Sequence, residues 1–177
     1  VHLGAYGVDL KDYDTSLQKL LQQMLDDPNC PRLRVSSLEP PEFTDELNGF
    51  LIEQMNDGRI CRHLHIPLQS GCDYTLSVMN RRYTTAQYQE LVHQLTSTIP
   101  NLAIGADVLI GFPGESDEHF ATTFDFVKDL PLAYLHVFSY SIRPGTPAAE
   151  MKEQINPEVK KARAARMRKL SEEKRRS

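Results

Sequence analysis

Short polar segments rich in glycine and proline follow the apolar runs of this sequence, and they are the places where chemistry is most easily arranged. The central one, QSGC (69–72), comes directly after the apolar run HLHIPL. The others are AYG (5–7), SLEP (37–40), GFPGES (111–116) and SIRPGTP (141–147). Glycine lets a backbone approach a ligand closely, and polar side chains fix the orientation of that ligand. Glycine and proline are also common in ordinary loops. Five such segments after successive apolar runs nevertheless favour a shared ligand site.

Three histidines and one aspartate lie inside apolar runs. His63 and His65 are two residues apart, so on a strand they share a face at a spacing that suits a metal ion. No third ligand is apparent in the sequence, and His136 is isolated, so packing roles are favoured for all three. Asp107 interrupts the run AIGADVLIGF and needs a partner, because burying an unpaired charge is costly. A structural ion pair is slightly favoured over a polar group inside a barrel.

Strands and helices must alternate to position these residues. The predicted strands are LRVSSL (33–38), HLHIPL (63–68), AIGADVLIGF (103–112) and AYLHVFSY (133–140), with VHLGA (1–5) as the end of a fifth. Apolar residues at helical spacing predict four intervening helices, whose stripes begin at Leu17, Leu47, Tyr88 and Phe120. Thr84 with Gln87 forms a possible capping box, and Ser116 a second helix cap.

This alternation predicts an α/β fold of βαβ units with a parallel sheet. Five strands are too few for a closed eight-stranded barrel, so an open, partial TIM-like barrel is the first interpretation and a doubly wound sheet the second. The run Val108–Ile110 does not alternate, which is typical of a strand covered on both faces. Ligands of parallel α/β folds bind where strands end. We call the edge formed by the five polar segments the rim.

The cysteines and the hydropathy of the sequence indicate the cellular compartment of the chain and whether it crosses a membrane. Cys30, Cys61 and Cys72 are odd in number and widely spaced, which argues against a disulfide framework and favours a reducing cytoplasm. No two of them have a C-x-x-C spacing, so a metal or iron–sulfur site within this chain is not expected. No run of about 18 apolar residues occurs, so no membrane span is expected.

Charge is distributed unevenly along the chain. The last 27 residues contain ten basic and four acidic side chains, a net charge of +6. Because the whole chain has a net charge of −4, the first 150 residues carry −10. Such a basic tail suits nucleic acid. A solvated helix face or a linker to another domain explains it equally simply and is favoured from charge alone.

The ordered motifs resemble those of the radical-SAM methylthiotransferases. They are VHLGAYG, RLRVSSLEP, HLHIPLQSGC followed by MNRRYT, IGADVLIGFPGES and HVFSYSIRPGTPAA. Among the branches, they most resemble enzymes that act on threonylcarbamoyladenosine in tRNA, beside the anticodon. A substrate of another branch, isopentenyladenosine tRNA or a ribosomal protein, stays open. From a different class, a non-catalytic nucleotide-binding α/β module is the competing interpretation, although no Walker or G-x-G-x-x-G motif is present.

The resemblance implies both cofactors and domains. Family members bind S-adenosyl-L-methionine (SAM) on a [4Fe–4S] cluster held by a C-x-x-x-C-x-x-C loop, and they flank the barrel with an N-terminal cluster domain and a C-terminal RNA-binding domain. Here residues 1–150 resemble the barrel without its first strand and cluster loop, and residues 151–177 a basic helix or linker towards an RNA-binding domain. The cysteines, separated by 31 and 11 residues, cannot replace that loop. We therefore expect the 177-residue chain by itself to hold no cluster and to be inactive, with tRNA as the partner of the longer protein.

The resemblance also implies SAM-binding residues at the central rim segments. Gln69 and Ser70 are expected to bind the ribose, since a carboxamide and a hydroxyl can each donate and accept hydrogen bonds, and Gly71 to bring the backbone close. Loop capping is the alternative. Ile110, Gly111 and Phe112 are expected beside the adenine, with core packing as their alternative.

The remaining candidates lie on the outer rim segments. Gly4 and Tyr6 match positions near the methionine amino group, on the resemblance alone. Glu39 is a charged rim residue, and Arg82 or its neighbour Arg81 suits the SAM carboxylate, because a guanidinium matches a carboxylate geometrically. Solvent contact or helix-dipole pairing is the alternative for the two arginines. Arg143 could reach the cofactor or an RNA phosphate.

Overall fold

The computed structural model describes residues 3–10, 14–35 and 37–176. Its helices and strands, in chain order, are α1 (Leu17–Asp26), α2 (Asp45–Asn56), β1 (His63–His65), α3 (Asp73–Val78), α4 (Thr85–Thr98), β2 (Ala103–Ile110), α5 (Asp117–Asp129), β3 (Tyr134–Ser139), α6 (Pro147–Glu150) and α7 (Pro157–Lys174). Two short 3₁₀ helices lie at Leu3–Ala5 and Pro40–Glu42.

The strands form one open parallel sheet in the order β1-β2-β3. Leu33 and Leu38 lie on the other side of β1 from β2. Leu33 forms a parallel bridge with Ile60, and the Leu38 amide donates to the His65 carbonyl at 3.0 Å. The sheet does not close into a barrel. The predicted α/β class with an open parallel sheet is therefore confirmed.

Two of the predicted strands differ from the structure. Leu3–Ala5 is a 3₁₀ helix, and the Tyr6 amide bonds back to the Leu3 carbonyl at 3.0 Å. A backbone without a neighbouring strand closes such local bonds instead of a ladder. Val1 and His2 lie outside the described residues. In the run 33–38, Leu33 makes an isolated bridge, and none of the described residues of this run belongs to a regular strand. Ser36 lies outside the described residues.

The four predicted helices are confirmed, because their signals are local. The Thr84 hydroxyl accepts from the Gln87 amide at 3.2 Å, and the Gln87 side chain accepts from the Thr84 amide at 2.9 Å, so the capping box is present. Ser116 caps α5 by accepting from the His119 amide. Negative charge at Asp117 and Glu118 then meets the positive end of the helix dipole.

The two faces of the sheet differ in cover. Leu64, Ile104, Val108 and Ile110 point towards the helices and are fully buried. The opposite face, which we call the inner face, carries His63, His65, Gly105, Asp107, Leu109, Tyr134, His136 and Phe138. Phe138 is 52% exposed there. The expectation that the strand at 108–110 is covered on both faces is therefore wrong for this chain, because only one face has a helical layer among the described residues. No described helix combines the length and the hydropathy that crossing a membrane requires.

Helix α7 covers the free edge of β3. The Ser171 hydroxyl accepts from the Leu135 amide at 2.9 Å and donates to the Leu135 carbonyl at 3.1 Å, which satisfies an edge backbone that would otherwise be open to pairing. Lys174 donates to the carbonyls of Lys128 and Leu130 at the end of α5. Much of the basic tail is thus packed against the sheet.

Candidate functional site at the carboxyl ends of the strands

Gln69 continues the sheet beyond β1 in an unusual conformation. Its amide donates to the Asp107 carbonyl at 2.8 Å, and its carbonyl accepts from the Leu109 amide at 2.9 Å. Its φ is 67°, a left-handed value that costs a non-glycine residue about 1–3 kcal/mol. Residues in such strained conformations are found mainly at functional sites. The half-buried carboxamide has no hydrogen-bond partner among the described residues. Gln69 therefore has both the placement and the free polar atoms that a ligand contact needs.

Two buried tyrosines of the 83–98 region anchor the backbone that leads to Gln69. The Tyr83 hydroxyl donates to the Leu68 carbonyl at 2.9 Å, and the Tyr88 hydroxyl donates to the Ile66 carbonyl at 2.8 Å. Burial raises the pKa of Tyr83 to about 12 and that of Tyr88 well above its usual value. Both hydroxyls thus stay protonated and keep donating at neutral pH.

Alkaline pH is expected to destabilise the fold through Tyr83. Its hydroxyl has a pKa near 10 in the unfolded chain but about 12 in the folded one, so its contribution is complete below pH 10 and is lost as pH rises towards 12. The expected loss of unfolding free energy over this window is about 2 kcal/mol. Urea unfolding of the parent and Tyr83→Phe at about pH 8 and about pH 12 measures it. Tyr74→Phe, at an exposed position, is the control; an equal loss in Tyr83→Phe and the parent would contradict this role of Tyr83.

The loop after β2 is tied to α7 by a buried ion pair that sequence reasoning missed. Arg163 donates to Glu115 Oε1 at 2.7 Å and to the Glu115 carbonyl at 2.9 Å, and also to Asp117 at 2.6 Å. The side chains of Glu115 and Arg163 are 2% and 8% exposed. Burial raises the pKa of Glu115, although the Gly111 amide and Arg163 both favour its charged form. This clamp fixes the turn in which Gly111 has φ 74°.

Several residues predicted to contact SAM have internal partners. The Ser70 hydroxyl is buried, lies 3.0 Å from the Thr123 hydroxyl and accepts from the Cys72 amide. Gly71 lies against α5, where a Cβ would come within 2.8 Å of Phe126. The Gly111 amide donates to Glu115 and the Ile110 carbonyl accepts from Tyr140. These contacts favour loop capping for Ser70 and packing for Ile110.

An aromatic pair joins the ends of β2 and β3. Phe112 and Tyr140 meet edge to face, with ring centroids 5.4 Å apart. The Tyr140 hydroxyl is buried and has no hydrogen-bond partner among the described residues. A buried orphan hydroxyl is costly unless something else satisfies it, so Tyr140 joins Gln69 as a candidate ligand contact. Its position directly before SIRPG is the sequence signal that could have identified it.

Of the charged rim residues, Glu39 has an ion-pair partner, whereas Arg82 is exposed. Arg81, rather than Arg82, pairs with Glu39 across the rim at 3.0 Å. Arg82 is exposed beside Tyr83 and lines a cleft with Pro41. The roles of Glu39 and Arg82 in binding SAM remain predictions.

The first and last rim segments lie outside the sheet. Gly4 and Tyr6 line a groove with Thr44, and a Cβ on Gly4 would overlap the side chain of Glu42. Arg143 is exposed in the turn after β3, where its carbonyl accepts from Thr146. The predicted contacts of Gly4, Tyr6 and Arg143 are not tested by this geometry.

The cysteines do not form a cluster site. Cys30 and Cys61 are half-buried and Cys72 is buried, all as free thiols. Among the described residues, the one group of three or more potential metal ligands is His65, Asp107 and His136, which contains no cysteine. The residues of this chain therefore do not fit a [4Fe–4S] cluster.

The open parallel sheet with polar residues at its strand ends shows that this is an α/β protein. Comparison of its sequence with protein families shows to which family the chain belongs. A sequence model of the Radical SAM superfamily matches residues 9–127. Because this match covers well over half of the chain, the protein belongs to the Radical SAM superfamily.

Curated relatives narrow the resemblance to tRNA methylthiotransferases. The chain is 42% identical over 176 residues to the threonylcarbamoyladenosine tRNA methylthiotransferase MtaB of Bacillus subtilis, covering 98% of this chain and 38% of that protein. It is 37% identical over 167 residues to the tRNA-2-methylthio-N(6)-dimethylallyladenosine synthase of Acetivibrio thermocellus, covering 94% and 34%. The chain thus spans little more than a third of the curated relatives it matches.

Solved structures support the same fold. Coproporphyrinogen III oxidase (HemN) of Escherichia coli, described as a Radical SAM enzyme, superposes with a TM-score of 0.66 at 18% identity, over 89% of this chain and 36% of that one. TsrM of Kitasatospora setae, a radical S-adenosylmethionine methyltransferase with cobalamin and a [4Fe–4S] cluster bound, gives 0.60 at 20% identity, over 75% and 26%. At these identities the likeness concerns the fold alone.

Proposed function

We propose that this chain is the central part of a radical SAM tRNA methylthiotransferase acting on threonylcarbamoyladenosine. The observation that carries the proposal is the 42% identity to the Bacillus subtilis enzyme along almost the whole chain. Dimethylallyladenosine in tRNA is the second candidate substrate, favoured by the 37% identity to the Acetivibrio thermocellus enzyme. A tRNA substrate would place the protein in the cytoplasm.

The rim residues of this chain suit the nucleoside part of SAM, but they do not include ligands for the cluster. SAM supplies the radical chemistry and the methyl group when it is bound. Gln69, with its unpartnered carboxamide, would hold a ribose hydroxyl, and the Tyr140 hydroxyl would satisfy a second polar atom of the nucleoside. Phe112 would flank the base from one side. Ser70 and the Glu115–Arg163 pair would act by holding these residues in place.

The cluster would be supplied by sequence that this chain does not contain. We propose that a C-x-x-x-C-x-x-C loop and an N-terminal cluster domain belong to the longer protein. In this proposal residues 1–150 belong to the barrel, and residues 151–177 form a basic helix or linker towards a C-terminal RNA-binding domain of the longer protein. Exposed basic residues of the tail leave room for tRNA contact. Those without a hydrogen bond or ring contact among the described residues are Lys152, Lys161, Arg168, Lys169 and Arg176.

A chimera tests the proposal. The chain replaces its matching segment in the Bacillus subtilis enzyme, and tRNA nucleosides are analysed by mass spectrometry after anaerobic reconstitution with iron and sulfide. We expect the chimera to methylthiolate threonylcarbamoyladenosine, and the 177-residue chain by itself to hold no stoichiometric cluster and to leave tRNA unmodified. Methylthiolation of dimethylallyladenosine alone would select the second substrate, and a chimera that folds and carries its clusters but modifies neither would refute the proposal.

The same chimera tests Gln69. Replacing it by alanine is expected to raise the KM for SAM about tenfold, since one lost hydrogen bond in a binding site is worth about 1–1.5 kcal/mol. Gln23→Ala, at an exposed position of α1, is the matched control. An unchanged KM in Gln69→Ala would remove Gln69 from the site.

A further inference from the structure

The three strands each contribute one potential metal ligand to a single point on the inner face. They are His65 from β1, Asp107 from β2 and His136 from β3. His65 Nε2 lies 2.9 Å from Asp107 Oδ1, and His136 Nδ1 lies 3.2 Å from the same oxygen. All three ligand atoms lie within 4.8 Å of one another. The arrangement is invisible in the sequence, where His63 is the expected neighbour of His65.

The two distances to Asp107 Oδ1, 2.9 and 3.2 Å, fall in the range expected between ligands of one metal ion. Ligands bonded to one ion at about 2.1 Å are about 3.0 Å apart at the corners of an octahedron and about 3.4 Å apart at those of a tetrahedron. Two imidazoles and one carboxylate on one side of an ion, with the other positions open, form the donor set of many Fe²⁺ sites, and Zn²⁺ accepts the same ligands. The donor set therefore matches a divalent transition metal in number and chemistry, and the two distances to Asp107 Oδ1 match in spacing.

The surroundings of the three residues also suit an ion. Ser37 Oγ lies 3.2 Å from His65 Nδ1, so it can accept that N–H and leave Nε2 free to bind, as partners of metal-bound histidines commonly do. The side chains of His65, Asp107 and His136 are 14%, 21% and 49% exposed, which leaves a path from solvent. Asp107 Oδ2 has no hydrogen-bond partner among the described residues and is available as a second carboxylate contact.

We propose that His65, Asp107 and His136 form a binding site for one divalent transition-metal ion on the inner face of the sheet. Nε2 of His65, the carboxylate of Asp107 and Nδ1 of His136 are the protein ligands. The remaining coordination positions face the uncovered side of the sheet, where water or a substrate atom can bind. His63 is not a ligand, because it does not belong to the group of residues whose ligand atoms lie within 4.8 Å of one another. Its Nε2 instead lies 2.9 Å from the Tyr134 hydroxyl. The proposal does not depend on the methylthiotransferase function.

Titration of the 177-residue chain with Co²⁺ tests the site. Nitrogen and oxygen ligation is expected to give weak visible d–d absorption that saturates at one ion per chain. Asp107→Asn and His136→Ala are expected to weaken binding at least tenfold. His93→Ala, at an exposed position of α4, is the control and is expected to bind as the parent does.

Three results would overturn the site. They are the absence of visible absorption at saturating Co²⁺, binding that survives in His136→Ala, and strong near-ultraviolet charge transfer that reports cysteine ligation. Because His136 is half-exposed, its alanine variant should fold, and circular dichroism checks this directly. Without a metal, the same contacts would be a hydrogen-bonded cluster, in which Oδ1 of Asp107 accepts from both histidines. Failure to bind Co²⁺ would establish that alternative and would leave the chimera result unaffected.

Discussion

Arg163→Met is expected to lower the free energy of unfolding by about 3–5 kcal/mol. The substitution keeps the aliphatic stem but removes the charge that faces Glu115, whose side chain is 2% exposed. A buried carboxylate left without its partner carries the full desolvation penalty, which is the reason that breaking such pairs is so costly. Chemical denaturation at neutral pH measures the loss. Arg168→Met, on the exposed side of the same helix, is the control and should change stability by no more than about 0.5 kcal/mol.

The pH dependence of this variant distinguishes the ion pair from simple packing. Without Arg163, the pKa of Glu115 in the folded state should lie further above that of the unfolded chain, because burial already raises it. A carboxyl whose pKa is raised by folding destabilises the fold as pH rises past its unfolded value, so Arg163→Met should recover part of its loss near about pH 4. Adding Glu115→Gln should likewise restore stability at neutral pH. Equal losses at both pH values, with no rescue, would mean that Arg163 acts through packing instead.

Local signals explain what could be predicted from the sequence. The capping box of Thr84 and Gln87 and the cap at Ser116 involve residues three positions apart, so their helices could be placed correctly. Three of the five polar segments, those at 69–72, 111–116 and 141–147, also follow strands as expected, because strand polarity in a parallel sheet puts the carboxyl ends on one edge. The segments at 5–7 and 37–40 do not follow a regular strand.

Long-range pairing explains what could not be predicted. Asp107 lies 42 residues from His65 and 29 from His136, and only the register of the sheet brings them together. Glu115 and Arg163 are 48 residues apart in the same way. No periodicity in the sequence reports such contacts. The residue types of the run 1–5 predict a strand, but a strand also needs a neighbour, and Leu3–Ala5 has none among the described residues.

The basic tail shows that a count of charges does not report which side chains are available to a partner. Lys160, Arg163 and Lys174 donate hydrogen bonds to the sheet layer or α5, and Arg175 lies 5.6 Å from the ring of Tyr134. Arg166 stacks on Phe120 and Phe124 at about 5 Å. Half of the ten basic residues of the tail therefore face the domain itself. The surface charge offered to a polyanion is much smaller than the sequence count of +6 suggests, and a tRNA contact must rely on the other half.

Gly111→Ala is expected to cost about 2–4 kcal/mol, from two separable causes. The φ of 74° is left-handed, which costs a residue with a side chain about 1–2 kcal/mol. The new Cβ would also overlap Cγ and Cδ of Lys160. Lys160 would then have to leave the Tyr140 carbonyl, to which its Nζ donates at 3.1 Å. The substitution thus loosens the contact between α7 and the end of β3.

Two further variants separate these causes. Gly145 has φ 80°, and a Cβ added there would meet no atom within 4 Å, so Gly145→Ala should show the backbone cost alone, about 1–2 kcal/mol. In the Lys160→Ala background, most of the overlap with a Cβ at position 111 is removed. Adding Gly111→Ala to Lys160→Ala should therefore lower the free energy of unfolding only by as much as Gly145→Ala does in the parent. The denaturant midpoints of these variants and of the parent measure how much of the loss comes from the backbone conformation and how much from the overlap with Lys160. If Gly111→Ala is no more destabilising than Gly145→Ala, the packing of α7 on this turn is not what requires a glycine.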